Sequence, residues 1–139
     1  MKEKSVIMKR ILLVFLLLVK AFPALYASQD QDQDVFVPIT KYIQNGDAER
    51  LSAWFAPNLE IDILGNAIVC SKQQAKQIMK EFFNEYSPKN FSVAYKSGKA
   101  PMKYAIGTLN AGGSKFRVTL FVKTQKDGNF IQQLRIEKE

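Results

Sequence analysis

Residues 71–86 read SKQQAKQIMKEFFNEY. Ser71 followed three positions later by Gln74 is a capping box, in which a hydroxyl and an amide satisfy backbone groups that the first helical turn leaves open. Ala75, Ile78, Met79, Phe82, Phe83 and Tyr86 recur at intervals of three and four, which sets them on one stripe of a helix over residues 72–86. Ser87-Pro88 ends it, because proline disfavours helical backbone in the residue before it. A stripe with three aromatic rings must be covered by something, and what covers it decides the fold.

Downstream the period changes from helical to alternating. Phe91, Val93 and Tyr95 alternate inward over residues 91–97, and residues 103–110 follow a loop holding Gly98 and Pro101. Ala111-Gly112-Gly113-Ser114 turns the chain into residues 115–126, where Phe116, Val118, Leu120 and Val122 share one face. Asp127-Gly128 is a hairpin signal, and residues 130–138 close the series with Leu134 and Ile136. Upstream, Val35, Phe36, Ile39, Tyr42 and Ile43 fit a helix over residues 35–45, with Pro38 in its tolerant first turn. Gly46 stops that helix and Asp47 caps a second over residues 48–56, whose inner face is Leu51, Trp54 and Phe55 and whose end is Pro57. Leu59, Ile61 and Ile63 alternate with Glu60 and Asp62 in a half-buried strand, Gly65-Asn66 turns, and residues 67–70 return. The order is ααββαββββ. Tight turns imply antiparallel pairing, so the expected architecture is α+β, a curved, mostly antiparallel sheet wrapped on the long helix.

The first 27 residues have the anatomy of a secretory signal. Lys2, Lys4, Lys9 and Arg10 form a basic head, residues 11–19 are an unbroken apolar run, and small residues around Ala27 offer cleavage points. Nine apolar residues fall short of the ~20 that span a bilayer, so no transmembrane helix is expected in the mature form; an uncleaved anchor is the alternative. Export to the periplasm or the extracellular space follows. Residues 28–34, SQDQDQD, form a polar tether, and residues 35–139 a single domain. The chain carries a net charge of +7, but residues 1–27 hold five bases and one acid, leaving 15 bases against 12 acids. A net of +3 is ordinary surface charge and not a nucleic-acid footprint. Cys70 is the single cysteine, so no internal disulfide forms, and it is expected as a small buried apolar residue.

In element order the chain resembles the nuclear transport factor 2-like (cystatin-like cone) superfamily. More narrowly it resembles DUF4783, a family of small exported bacterial proteins. The resemblance is carried by NGDAERLSAWF (residues 45–55), SKQQAKQIMKEFF (71–83) and YAIGTL (104–109). The superfamily implies a cone-shaped cavity between sheet and long helix, and often a dimer formed through the sheet. The narrower family implies no known activity.

Enzymes built on this cone use carboxylate, histidine or tyrosine pairs inside it. The absence of histidine removes the commonest proton shuttle and the histidine-assisted nucleophiles. Asp62, Tyr95 and Tyr104 remain as acid–base candidates. With Trp54 they are the candidate ligand-binding residues of a cavity, and isomerase- or dehydratase-type chemistry is the alternative function. If Trp54, Phe82, Phe83 and Phe116 fill the interior, a substrate has no room there. A second feature is a polar stripe: Lys115, Arg117, Thr119 and Lys123 share a strand face with Phe121, and Gln133 with Arg135 share a face of the next strand. Lys96, Arg117, Phe121, Gln133 and Arg135 thus form a candidate interaction surface for a twin subunit, an envelope protein or an anionic cell-surface polymer. A third is the loop carrying Lys96, Lys99 and Lys103, basic but without a phosphate-loop pattern. No cofactor or metal is expected. The sequence favours a non-enzymatic binding domain.

Overall fold

Two turns with glycine in the left-handed region place the helices and the first hairpin. A computed structural model of the chain describes residues 34–139. The expected signal segment and most of the tether lie outside the described residues. Helix α1 (Phe36–Gln44) buries Phe36, Ile39 and Ile43. It ends at Gly46, whose φ of 64° suits glycine; a Cβ there would meet the Pro88 ring at 3.3 Å. Asp47 caps helix α2 (Ala48–Ser52), its Oδ1 accepting from the Arg50 N–H at 3.0 Å.

Helix α2 is shorter than the sequence pattern implies. The stretch expected to be helical through residue 56 leaves the helix after Ser52, and strand β1 (Phe55–Ile63) already begins at Phe55. Tertiary pairing overrides the local pattern: the Ile131 N–H donates to the Trp54 carbonyl at 2.6 Å, and Phe55 is buried completely in register with Ile131. Pro57, expected to end the helix, instead sits exposed inside the strand, where the pairing register with the neighbouring strand is irregular and a missing N–H is tolerated. The following turn is Leu64-Gly65, one residue earlier than expected. Both have positive φ, 54° and 90°, the requirement of a two-residue primed hairpin turn. Strand β2 (Asn66–Ser71) returns along β1.

Helix α3 (Lys72–Glu85) starts as the capping pattern requires, with Ser71 Oγ accepting from the Gln74 N–H at 3.2 Å. Ala75, Met79, Phe82 and Phe83 are buried, and Ile78 and Tyr86 pack at the edge of the core. Four strands follow: β3 (Pro88–Lys99), β4 (Met102–Ala111), β5 (Ser114–Gln125) and β6 (Gly128–Lys138). The sheet order is β2-β1-β6-β5-β4-β3. Every pairing is antiparallel except β1 with β6, which is parallel. The sheet supplies Leu59, Ile61, Phe91, Leu109, Phe116, Val118, Leu120, Val122, Ile131, Leu134 and Ile136 to the core. Helix α3 is locked to β5 through aromatic rings: Phe82 and Tyr86 lie 5.4 Å and 5.0 Å from the Phe116 ring, both edge-on. The expected α+β cone, a mostly antiparallel sheet closed over one long helix, is the observed architecture.

Strand β3 also departs from simple alternation. Phe91 and Val93 face the helices as expected, but a register shift between Val93 and Tyr95 inserts an extra residue. A bulge of this kind moves all later side chains to the opposite face. Tyr95, expected to point inward, therefore pairs with Ile106 on the outer face and is 53% exposed.

Candidate binding surface

The face of the sheet turned away from the helices collects nearly all the polar and aromatic residues that the sequence singles out. Alternation along β5 sends Lys115, Arg117, Thr119, Phe121 and Lys123 outward while the residues between them are buried. Register then extends this face across neighbouring strands. Phe121 lies opposite Tyr104 on β4 and Gln133 on β6; Gln133 is paired with Glu60 on β1, and Glu60 with Val69 on β2. A second row runs Ile106, Thr119, Arg135, Asp62 and Ala67.

The aromatic end of the first row is a continuous ladder. Tyr95 and Tyr104 are 5.8 Å apart between ring centroids, and Tyr104 stacks on Phe121 at 5.6 Å. Hydrogen bonds from Tyr104 and then Ser97 hold the Tyr95 hydroxyl below its ordinary pKa, because they favour the phenolate. The other end is ionic. Gln133 Nε2 donates to Glu60 Oε1 at 3.2 Å. Arg135 Nε stands 3.2 Å from Asp62 Oδ2, with the Asp62 side chain only 15% exposed. Asp62 Oδ1 and Arg135 Nε are buried without a well-formed hydrogen bond among the described residues, so Coulomb attraction holds the pair together more than aligned donors do.

Charge is divided between the two halves of the sheet. Residues 86–126, which make β3, β4 and β5, contain eight lysines and arginines and no acid. The half made of β6, β1 and β2 carries Glu60, Asp62 and Glu137 against Arg135 and Lys138.

The candidate cavity residues are not gathered in the cone. Asp62, Tyr95 and Tyr104 all lie on the outer face, which corrects their expected place in a cavity lining. Trp54 is half-buried against the core at the junction of α2 and β1. The space between α3 and the sheet is filled by Met79, Phe82, Phe83, Leu109 and Phe116, each buried. Of the interaction residues, Arg117, Phe121, Gln133 and Arg135 do share one face. Lys96 does not: after the bulge it pairs with Ala105, which faces the helices. Ile106, Glu60 and Val69 belong to the surface and were not singled out; Glu60 alternates with Asp62 on its strand, but the parallel β1–β6 pairing that joins them to Gln133 and Arg135 has no local signal. On the helix side, a surface groove of about 290 Å³ is lined by Asp47, Glu49, Lys80 and Phe83. There Lys76 and Lys80 each stand 3.4 Å from Glu49 and hold its carboxyl below the usual range. Among the described residues no three histidine, cysteine or carboxylate side chains come together as metal ligands, and no helix is long and apolar enough to cross a membrane.

A mixed sheet of this order over a single long helix is the nuclear transport factor 2-like, cystatin-like cone fold. A Nostoc punctiforme domain of unknown function with a cystatin-like fold is similar in structure, with a TM-score of 0.60 over 73% of this chain and 71% of that one at 10% identity. Residues 36–137 match the family described as domain of unknown function (DUF4783), and the chain belongs to it. A DUF4783 family protein from Bacteroides uniformis superposes with a TM-score of 0.73 at 22% identity, covering 76% of this chain and 98% of that one. Another from Bacteroides ovatus gives 0.71 at 26% identity, over 74% and 94%. No curated protein matches.

Proposed function

We propose that the protein is an exported, non-enzymatic binding domain whose working surface is the outer face of its sheet, and that a second copy of the chain docks there. The observation that carries this is the composition of that face: a Tyr95–Tyr104–Phe121 ladder, with Val69 74% exposed at the far side of the sheet. Exposed aromatics surrounded by charge are the usual makeup of a protein interface core and its rim. Charge supports a twin as the partner. A two-fold axis along the strands, between β5 and β6, sets the acidic β1 of each copy against β4 of the other, between strands that carry only bases. Such an arrangement is self-complementary, as a closed symmetric dimer requires.

The acid–base alternative loses its expected carriers from the cone, since Asp62, Tyr95 and Tyr104 face outward and Asp62 is engaged by Arg135. The test is sedimentation equilibrium across a range of protein concentrations. A dimer that Phe121→Glu converts to monomer, with an unchanged melting temperature, is the expected result. A wild-type chain that stays monomeric at every concentration overturns the twin as partner; retention of the dimer by Phe121→Glu moves the interface elsewhere.

A further inference from the structure

We propose that the end of the sheet formed by the β3–β4 and β5–β6 hairpins docks on the surface of an anionic phospholipid bilayer. This is independent of the outer-face dimer, which uses the middle of the sheet. Strands β3 and β5 end where β4 and β6 begin, so Lys96, Lys99, Lys103, Lys123 and Lys126 all gather at one end. Asp127 is the one acid in those two hairpins between residues 86 and 136. The hairpins are tied side by side: the Thr124 N–H donates to the Pro101 carbonyl at 2.7 Å. Register sets Met102 between Lys99 and Lys123.

Two features favour a bilayer over a soluble polyanion. First, every base at this end is lysine. Lysine is a flexible, strongly hydrated point charge that suits diffuse attraction to a charged surface, whereas arginine forks suit a single bound phosphate or carboxylate. Second, apolar and aromatic groups stand among the lysines. Met102 is 41% exposed, the half-buried Phe130 pairs with Lys123, and Trp54 joins the same end through its bond with Ile131. A soluble anionic chain gains little from an exposed methionine. A bilayer does, because apolar tips enter the headgroup region while lysine stems keep their ammonium groups in water.

Each lysine held at an anionic leaflet strengthens binding roughly fivefold. The test is partition of the full chain between buffer and vesicles of mixed phosphatidylglycerol and phosphatidylcholine, with pure phosphatidylcholine vesicles beside them. The variants are Lys99→Glu/Lys123→Glu at this end, Lys89→Glu/Lys115→Glu at the opposite end with the same change in charge, and Met102→Ser. Any contribution of residues 1–27 is common to all of them. The first pair is expected to weaken partition into the anionic vesicles by at least ~25-fold, the second pair several-fold less, and Met102→Ser measurably with no change in charge. Equal losses from the two pairs would overturn the docking end, since net charge alone would then be read. Undiminished binding by the first pair, or equal binding to neutral vesicles, overturns the docking end. Unchanged partition of Met102→Ser overturns the bilayer as its occupant.

Discussion

Replacing Phe82 with alanine tests the packing on which the cone depends. The side chain is 4% exposed, and its ring lies 5.9 Å from Phe83, 5.2 Å from Tyr86 and 5.4 Å from Phe116. Truncating a buried phenylalanine costs about 3–5 kcal/mol, the spread reflecting how far the site collapses. Collapse is restricted here. Phe116 is fully buried on β5, one of the two central strands, while α3 also packs against α2. The upper part of the range, about 4–5 kcal/mol, is therefore expected. Trp54 is the single tryptophan and packs at the edge of the core, so its fluorescence reports urea unfolding directly. With a urea dependence near 2 kcal/mol per molar, the midpoint should fall by roughly 2 M. Phe82→Leu keeps the site apolar and nearly filled and should cost about 1–1.5 kcal/mol, which keeps the series measurable if the alanine variant is too unstable to fold. A midpoint moved by less than about 0.5 M at unchanged slope would mean that α3 is not clamped by the sheet, and the account of the cone would be wrong.

Gly107 should not tolerate alanine: a Cβ there would stand 2.7 Å from both the Phe91 ring and the Ser92 carbonyl, and a loss of about 1–3 kcal/mol in chemical denaturation is expected from overpacking. Arg135→Glu should cost about 1–3 kcal/mol because it leaves the largely buried Asp62 beside a like charge, whereas the exposed Arg117→Glu should move the melting temperature little; equal effects would deny the Asp62–Arg135 pair its structural role. Tyr95 should ionise before an ordinary tyrosine as pH rises, read by phenolate absorbance, and Tyr104→Phe should shift that step to higher pH by removing the leading hydrogen bond. Glu49 has a lowered carboxyl pKa, so the small stability it lends is present above its unfolded value near 4.5 and fades as pH falls through the folded one; a carbon-detected titration should find it below 4.5 and see it return toward 4.5 in Lys76→Met/Lys80→Met.

Elements whose signals are local could be read from the chain. The Ser71 cap, the α3 stripe and the alternation on β5 each use contacts within a few residues, and each stands where the pattern sets it. What failed was set by distant partners. Residues 53–56 have a helical pattern, yet Ile131 takes the Trp54 carbonyl and draws Phe55 into the sheet. Tyr95 alternates with Val93 in sequence, yet one inserted residue reverses it. Neither event leaves a mark in a short window, because bulges and parallel pairings are decided by the strand alongside.

The same two events created the candidate surface. Had β3 kept strict alternation, Tyr95 would face the helices and the ladder would stop at Tyr104. Had α2 run on through Phe55, β1 would start later and its pairing beside β6 would not be anchored by Trp54 and Phe55 at Ile131. Glu60 and Asp62 would then lack the register that joins them to Gln133 and Arg135. The bulge therefore supplies the aromatic end of the outer face, and the early start of β1 helps to supply the ionic end. Residues 86–126 carry no acid, so the halves that these events bring into one sheet also differ in charge. A face with aromatics and bases at one side and acids at the other is matched by its own rotated copy. That match depends on tertiary register more than on any single side chain: alternation within one strand fixes which residues face outward, and pairing with the strands alongside fixes which of them meet.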